Sequence, residues 1–350
     1  MYADLKKGFK IKPDPVILSI ESSCDETAAA VVRGGREILS SEIISSCSEH
    51  IRFGGVVPEI ASRAHTTAVS EVVKRAINAS GVDLTDIDAV AVTYGAGLLG
   101  ALLVGLSYAK ALAFSLGVPI IPVSHIRGHL AAAYLADKTL EPPFISLLAS
   151  GGHTAVIEVK KVDEFRLLGG TLDDAVGEAF DKVARTIGLE YPGGPNIEKL
   201  AEEGKNAIAL PKMLKGDGGY NFSYSGLKTA VVNYVHNAKQ HGQTFSKADV
   251  AGSFQCSAID VLVEKSLKAC GECKLNTLTV GGGVAANGYL RKRLDEECKK
   301  AGIKLVLPPK ILCTDNAAMI GAEGFIQYEK GNFADLGLNA KARVDLGQNI

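Results

Sequence analysis

A strand-turn-strand unit occurs twice in this chain, and that repetition limits the folds open to it more than any other feature. Residues 17–32 read ILSIESSCDETAAAVV and residues 145–159 read ISLLASGGHTAVIEV. Each is an apolar strand, a turn of small polar residues, then Thr-Ala opening a second apolar strand, the two units lying about 127 residues apart. Duplication at that distance implies two similar lobes, and 350 residues is length enough for two cores. Apolar runs of strand length fall at 16–20, 28–32, 89–93, 120–123, 145–149, 155–159, 277–280 and 303–307. Helical patterns fall at 65–79, 100–116, 127–135, 175–188, 197–203, 224–238, 247–269, 288–301 and 316–330. That alternation is α/β. The lobe junction is expected near Glu141-Pro142-Pro143, where two prolines interrupt the pattern, and a cleft between lobes is the default place for a site.

Composition narrows the classes further. With 47% apolar and 22% charged residues the chain is neither disordered nor fibrous. Its 38 basic and 39 acidic residues give a formal charge of −1, so no global footprint for nucleic acid or anionic lipid is present. Seven scattered cysteines do not form a secreted disulfide framework, and a reducing cytoplasm is the expected compartment. Residues 1–15 carry four lysines with no apolar stretch behind them and are expected to be a flexible leader, not a signal peptide. Residues 89–109 hold 21 residues without a charge, but three glycines within 94–100 favour a strand, a turn and a buried helix over a membrane span.

Three glycine turns follow strands or open helices in the second half. In Ser150-Gly151-Gly152-His153-Thr154 the glycines let backbone N–H groups converge on an anion such as a phosphate. Gly281-Gly282-Gly283 repeats the arrangement, with Asn287 offering an amide to a base edge or ribose, and Tyr191-Pro192-Gly193-Gly194-Pro195-Asn196 opens a helix. Each alone reads equally as an ordinary hairpin or strand–helix turn. Neither GxxxxGK[ST] nor GxGxxG follows the first strand, which disfavours P-loop and Rossmann sites.

His125-Ile126-Arg127-Gly128-His129 sets two imidazoles at i and i+4 on one helix face, able to share a metal. Asp315 is the candidate third ligand, with helix N-cap as its competing role. Two histidines and a carboxylate suit Zn2+ or Fe2+. A zinc peptidase needs Glu directly after the first His, where this chain has Ile126, so acyl transfer fits better than hydrolysis.

Taken together, residues 22–27 (SSCDET), 54–59 (GGVVPE), His125 with His129, 150–154 (SGGHT), 177–182 (GEAFDK), 222–229 (FSYSGLKT) and 314–316 (TDN) resemble the TsaD family. These are tRNA N6-adenosine threonylcarbamoyltransferases, formerly labelled O-sialoglycoprotein endopeptidases, and the resemblance runs from about Val16 to Val344. It implies duplicated RNase H-like lobes of the actin/Hsp70-like ATPase superfold with an interlobe cleft. The matching divisions are a 16–141 N-terminal lobe, a 142–313 nucleotide lobe with a helical insertion at about 172–250, a 314–336 helix returning to the first lobe, and a 337–350 tail.

The resemblance further implies that threonylcarbamoyl-AMP gives its threonylcarbamoyl group to N6 of adenosine 37, in tRNAs reading codons that begin with A, releasing AMP. Carried over position by position, the metal ligands are His125, His129 and Asp315, and the nucleotide contacts are Leu148, Ala149, Ser150, Gly151, Gly152, Asp181, Gly194 and Asn287. Archaeal and eukaryotic members have a tyrosine ligand where this chain has Leu148, a residue that bacterial members share. Bacterial-type members are expected to act with an inactive paralogue, TsaB, and an ATPase, TsaE, after a separate synthase makes the adenylate.

Adenine N6 must lose a proton as it attacks, and Asp25 and Glu26 are the candidate acid/base groups, with turn capping as their alternative role. Less is expected of Cys270-Gly271-Glu272-Cys273, read as a helix-end pair, and of Ser225, read as a helix cap; Arg63 and His65 either reach RNA or start a helix. A metallopeptidase and a non-catalytic nucleotide-binding paralogue are the competing classes.

Overall fold

The computed structural model describes residues 9–211 and 218–346, and its contacts divide the chain into two compact units. One unit comprises the chain up to Leu140 together with the segment from Asp315 onward; the other is Glu141–Thr314. Of the expected leader and tail, residues 1–8 and 347–350 lie outside the described residues, as do 212–217 of the expected insertion.

In the first unit the strands are β1 (Val16–Glu21), β2 (Glu26–Arg33), β3 (Glu37–Ser45), β4 (Ala89–Gly95) and β5 (Ile120–Ser124), in sheet order β3-β2-β1-β4-β5. Helices α1 (Cys47–His50), α2 (Pro58–Ser80), α3 (Leu99–Leu116) and α4 (His125–Ala136) accompany them. The second unit has β6 (Phe144–Ala149), β7 (Thr154–Lys161), β8 (Glu164–Gly170), β9 (Thr277–Gly281) and β10 (Lys304–Val306), ordered β10-β9-β6-β7-β8. Its helices are α5 (Val176–Thr186), α6 (Gly193–Ala201), α7 (Ser225–Gln240), α8 (Lys247–Cys273) and α9 (Gly288–Ala301). Numbered from the start of each unit, both sheets run 3-2-1-4-5. In both, the first three strands are antiparallel and the fourth and fifth add in parallel, so the sequence repeat is a repeat of topology.

Every residue of β1, β4, β5 and β6 is buried, because these strands are covered on both faces, and their sequences are correspondingly almost all apolar. The edge strands β3 and β8 were not expected: EILSSEIIS and EFRLLGG mix polar and apolar residues because only part of each is covered. Helix α2 starts seven residues before its expected start, with Pro58 in its first turn, where a missing N–H costs nothing. Correcting the expected buried helix at 100–116, only 33% of α3 is buried, and Leu99, Leu103 and Phe114 are exposed. By length and composition α3 is apolar enough to span a membrane, but its inward stripe of Ala101, Leu102, Gly105, Leu106, Ala109 and Ala113 packs in the first unit.

The last helix, α10 (Ala317–Glu329), returns the chain to the first unit and is buried along nearly its whole length. Glycines let it come close: a Cβ on Gly321 would stand 2.6 Å from Val32 Cγ2, and one on Gly324 2.7 Å from Ala91 Cβ. Ser19 Oγ, on β1, donates to Ala317 O at 2.7 Å and ties the start of α10 to the sheet. At the other end of α10, Lys12 N of the N-terminal segment donates to Tyr328 Oη, and Lys12 Nζ pairs with Asp88.

Candidate metal centre and glycine turns

The two imidazoles share a face because α4 begins directly at His125, and the rings meet edge to face with centroids 4.6 Å apart. Gly128, between them, leaves room for α10: a Cβ there would stand 2.8 Å from Ile320 Cδ1. That close packing brings Asp315, two residues ahead of α10, over the rings. Its Oδ1 lies 3.5 Å from His125 Nε2 and 3.2 Å from His129 Nε2. The competing capping role falls to the next residue, Asn316, whose side chain accepts from Met319 N at 2.9 Å. All three candidate ligands therefore belong to the first unit.

The donors fit a divalent ion. Ligand atoms about 2.0–2.1 Å from one tetrahedral centre stand roughly 3.3–3.4 Å from each other, and Asp315 Oδ1 stands within about 0.2 Å of that spacing from both Nε2 atoms. His129 is fully inside, its Nδ1 has no hydrogen-bond partner among the described residues, and its Nε2 faces the Asp315 carboxylate. A buried ring nitrogen left without a partner costs about 1–3 kcal/mol. Burial, with His125 alongside, lowers the His129 pKa and keeps the ring neutral. His125 behaves oppositely: burial would lower its pKa, but the carboxylates of Asp315 and Glu21 outweigh that and push it up to about 9. Positive charge is thus favoured at His125 and disfavoured at His129.

Asp315 contributes most to the field on His125, and Glu21, which sequence reasoning missed, adds to it. Glu21 ends β1 with no exposed surface, and its Oε2 lies 3.3 Å from His125 Nδ1 and accepts from Thr93 Oγ1 at 2.5 Å. Its Oε1 accepts from Ser23 N at 2.6 Å, and Ser23 Oγ is 3.1 Å from His125 Nδ1. Burial would raise the Glu21 pKa, yet His125 more than reverses this and the carboxyl is held below its usual range. A carboxylate on Nδ1 fixes the tautomer that presents Nε2 to an ion. Glu21→Ala is expected to weaken metal binding about 10–100-fold, read by chelator competition, with Glu21→Gln between it and wild type. Unchanged affinity in both variants would remove Glu21 from the site.

Asp25 ends the turn between β1 and β2, and Glu26 opens β2. Burial first, then the charges of Asp25 and Asp315, push the Glu26 pKa up to about 9, and Ser45 Oγ donates to its Oε1 at 3.2 Å. Two buried histidines brace this turn. His65 is fully buried rather than facing RNA, its Nε2 2.9 Å from Cys24 O and its Nδ1 2.7 Å from Thr27 Oγ1. Its sequence signal was its place on the apolar face of α2, with Ala61, Ala68, Val69 and Val72. Arg63 is exposed and pairs with Glu59 at 2.7 Å. In α1, His50 accepts from Val57 N at Nδ1, which leaves Nε2–H to donate to Ser46 Oγ at 3.1 Å. Ser46 in turn donates from both N and Oγ to Asp25 O, each at 2.9 Å.

In the second unit the glycine turns gather at the C-terminal ends of the parallel strands β6 and β9. Ser150–His153 is a hairpin turn, Ser150 N donating to His153 O at 2.8 Å, with Gly151 and Gly152 exposed. Gly282, at φ +93°, packs so closely that a Cβ would stand 2.4 Å from Ala149 O, just past Leu148 on the strand. Gly177 brings the start of α5 to the same turn: its Cβ would stand 2.8 Å from Gly151 Cα. Asp181 on α5 accepts from Gly193 N at 2.7 Å, while a side chain at Gly194 would meet nothing within 4 Å. Asn287 caps α9, accepting from Leu290 N at 2.9 Å, and its Nδ2 donates to Gln255 Oε1 at 2.9 Å. Its amide is thus engaged within the unit.

Ser225 is not the cap of α7 that its sequence suggests. The N-cap position is Tyr224, and Asp173 accepts from Tyr224 N at 2.7 Å and Ser225 N at 3.2 Å. An aspartate distant in sequence thus does the capping. Cys270 and Cys273 are thiols at the end of α8.

Comparison with known proteins adds an independent line. The family model TsaD: tRNA N6-adenosine threonylcarbamoyltransferase matches residues 37–322. A Clostridium botulinum (strain 657 / Type Ba4) protein named tRNA N6-adenosine threonylcarbamoyltransferase is 54% identical over 333 residues, covering 95% of this chain and 98% of that protein. A Clostridium perfringens (strain SM101 / Type A) protein of the same name is 52% identical over 334 residues, again covering 95% and 98%. Among solved structures, full-length HypF in a phosphate- and nucleotide-bound form superposes with TM-score 0.61 at 17% identity, over 92% of this chain and 47% of that one. Component A of the Acidaminococcus fermentans (R)-2-hydroxyglutaryl-CoA dehydratase gives 0.52 at 14% identity, over 91% and 99%. These structural likenesses bear on fold alone, and the duplicated α/β units agree with them.

Proposed function

We propose that this chain, which belongs to the TsaD family of tRNA N6-adenosine threonylcarbamoyltransferases, transfers the threonylcarbamoyl group of threonylcarbamoyl-AMP to N6 of adenosine 37 in tRNAs reading ANN codons. The observation that carries the reading is 52–54% identity to relatives of that name over nearly their whole length. In the reaction a bond forms from N6 to the carbamoyl carbon, the bond from that carbon to the phosphate oxygen breaks, AMP leaves with the electron pair, and N6 loses a proton.

His125, His129 and Asp315 would hold one divalent ion, Fe2+ or Zn2+, which when bound supplies a Lewis acid for the donor's carbonyl. Glu21 and Ser23 orient the His125 ring. Because the donor is an activated anhydride already, the chain's remaining task is positioning and charge stabilisation. Backbone amides of Gly151 and Gly152, in the turn that Ser150 N closes on His153 O at the end of the strand carrying Leu148 and Ala149, receive the adenylate phosphate. Asp181 accepts from ribose hydroxyls beside Gly194. The Gly281–Gly283 turn lies against adenine, and Asn287 acts there by holding that turn to α9 and Gln255. Glu26 takes the N6 proton, and Asp25 beside it raises the basicity of that carboxylate.

Three partners follow from the reading: the TsaB paralogue, the TsaE ATPase and a threonylcarbamoyl-AMP synthase, in the cytoplasm. Ile126 in the place of the peptidase glutamate argues against proteolysis, and the assembled donor triad argues against a purely non-catalytic role.

The test is direct. Protein, partners, threonine, bicarbonate, ATP and unmodified tRNA are incubated and the RNA digested to nucleosides. N6-threonylcarbamoyladenosine at position 37 is expected. No product even with preformed adenylate supplied would overturn the assignment.

A further inference from the structure

A short exposed turn lies beside the carboxylate turn and has no part in the site so far. Ile51–Phe53 forms one 3-10 turn with no buried residue, Ile51 being 39% and Phe53 51% exposed, and Gly54 closes it at φ +68°. The Arg52 guanidinium carbon lies 4.7 Å from the centroid of the Phe53 ring. This apolar and cationic knuckle sits on a rigid base. His50, the residue before it, has no exposed surface and is locked by Val57 N on one nitrogen and Ser46 Oγ on the other. Ser46 grips the carbonyl of Asp25. Two hydrogen-bonded residues therefore connect the knuckle to the proposed acid/base turn.

We propose that Ile51-Arg52-Phe53 is the surface on which the anticodon loop of the tRNA rests, an unstacked base lying against Phe53 and a backbone phosphate meeting Arg52. The inference rests on the transferase reading and adds the contact surface for its RNA substrate. Proteins read single-stranded loops by stacking splayed bases on aromatic rings and guanidinium planes, and such stacking tolerates sequence because every base has a π face. That tolerance suits an enzyme serving many tRNAs. Electrostatic attraction is not the main force. Glu49 and Glu59 balance Arg52 and Arg63, and Arg63 already pairs with Glu59, so the patch carries no net charge. Binding at this patch is expected to depend only shallowly on salt, about one released counterion for Arg52.

The test uses the full chain with its partners and an unmodified anticodon stem-loop carrying a fluorescent adenine analogue beside position 37. Phe53→Ala should weaken stem-loop binding about ten- to one-hundredfold, with Phe53→Trp restoring most of it. The KM for tRNA should rise in parallel while the KM for the adenylate and the bound metal stay as in wild type. Arg52→Ala should lower the slope of affinity against salt by about one. Stem-loop affinity unchanged in Phe53→Ala would overturn the inference, and loss of a protein partner from that variant with RNA binding intact would reassign the patch to protein docking. A wild-type protein that binds the stem-loop through Phe53 yet makes no modified nucleoside would instead sink the transferase reading and leave this surface standing.

Discussion

Bound metal and threonylcarbamoyl transfer are expected to disappear together in His129→Ala. The ring is enclosed where α4 meets α10, its Nδ1 has no hydrogen-bond partner among the described residues, and Nε2 stands 3.2 Å from Asp315 Oδ1. Deleting it leaves His125 and Asp315, too few donors for tight binding of one ion. A Lewis acid contributes several kcal/mol to a reaction of this type, so single-turnover transfer from preformed adenylate should fall about a thousandfold. Metal content by mass spectrometry and transfer should track each other. Chelation should reproduce the loss in wild type, and returning the ion should rescue wild type but not the variant. Because His129 is buried, a thermal melt must accompany the assay, and His129→Gln, which keeps most of the volume, separates an unfolded protein from an ion-free one. Transfer that persists without metal would remove the ion from the chemistry.

That site was legible in the sequence only in part, and the reason is distance along the chain. The spacing of His125 and His129 gives a shared helix face by itself. Asp315 gave a local signal that read equally as a helix cap, and the choice depended on Asn316 taking the cap, which only the folded backbone displays. Glu21 had almost no signal: one acid at the end of an apolar strand, made meaningful by a histidine 104 positions away. Asn287 had a signal as an amide beside glycines, while its cap on α9 and its bond to Gln255 depend on contacts that the sequence does not display.

The same logic divides the fold. Central strands such as β1 and β4 announce themselves because burial on both faces demands unbroken apolar residues. Edge strands β3 and β8, covered in part, carry mixed residues that resemble loop. For α3, apolar composition overstated burial: Leu99, Leu103 and Phe114 are exposed although the helix is among the most hydrophobic stretches of the chain.

Glu26→Gln should reduce transfer about 10²–10⁴-fold and flatten its pH dependence. In the folded protein Glu26 keeps its proton up to about 9, because burial, Asp25 and Asp315 all disfavour its anion. If the carboxylate takes the N6 proton, only the ionised form is productive, so the wild-type rate should climb tenfold per pH unit and level off near the pKa. A divalent ion on Asp315 offsets one of the charges that raise this value, which moves the plateau of the metal-loaded protein below 9. Glutamine is neutral at every pH and still able to accept from Ser45, so it removes the base while keeping the turn. Asp25→Asn makes a different change: it deletes a neighbouring negative charge, lowers the Glu26 pKa, and should shift the rising limb toward acid with the plateau largely retained. Single-turnover rates between about pH 6 and pH 10 distinguish the two variants. A Glu26→Gln protein with the wild-type rate and the wild-type slope would show that the proton leaves N6 by another route, and Glu26 would then be a group that shapes the turn.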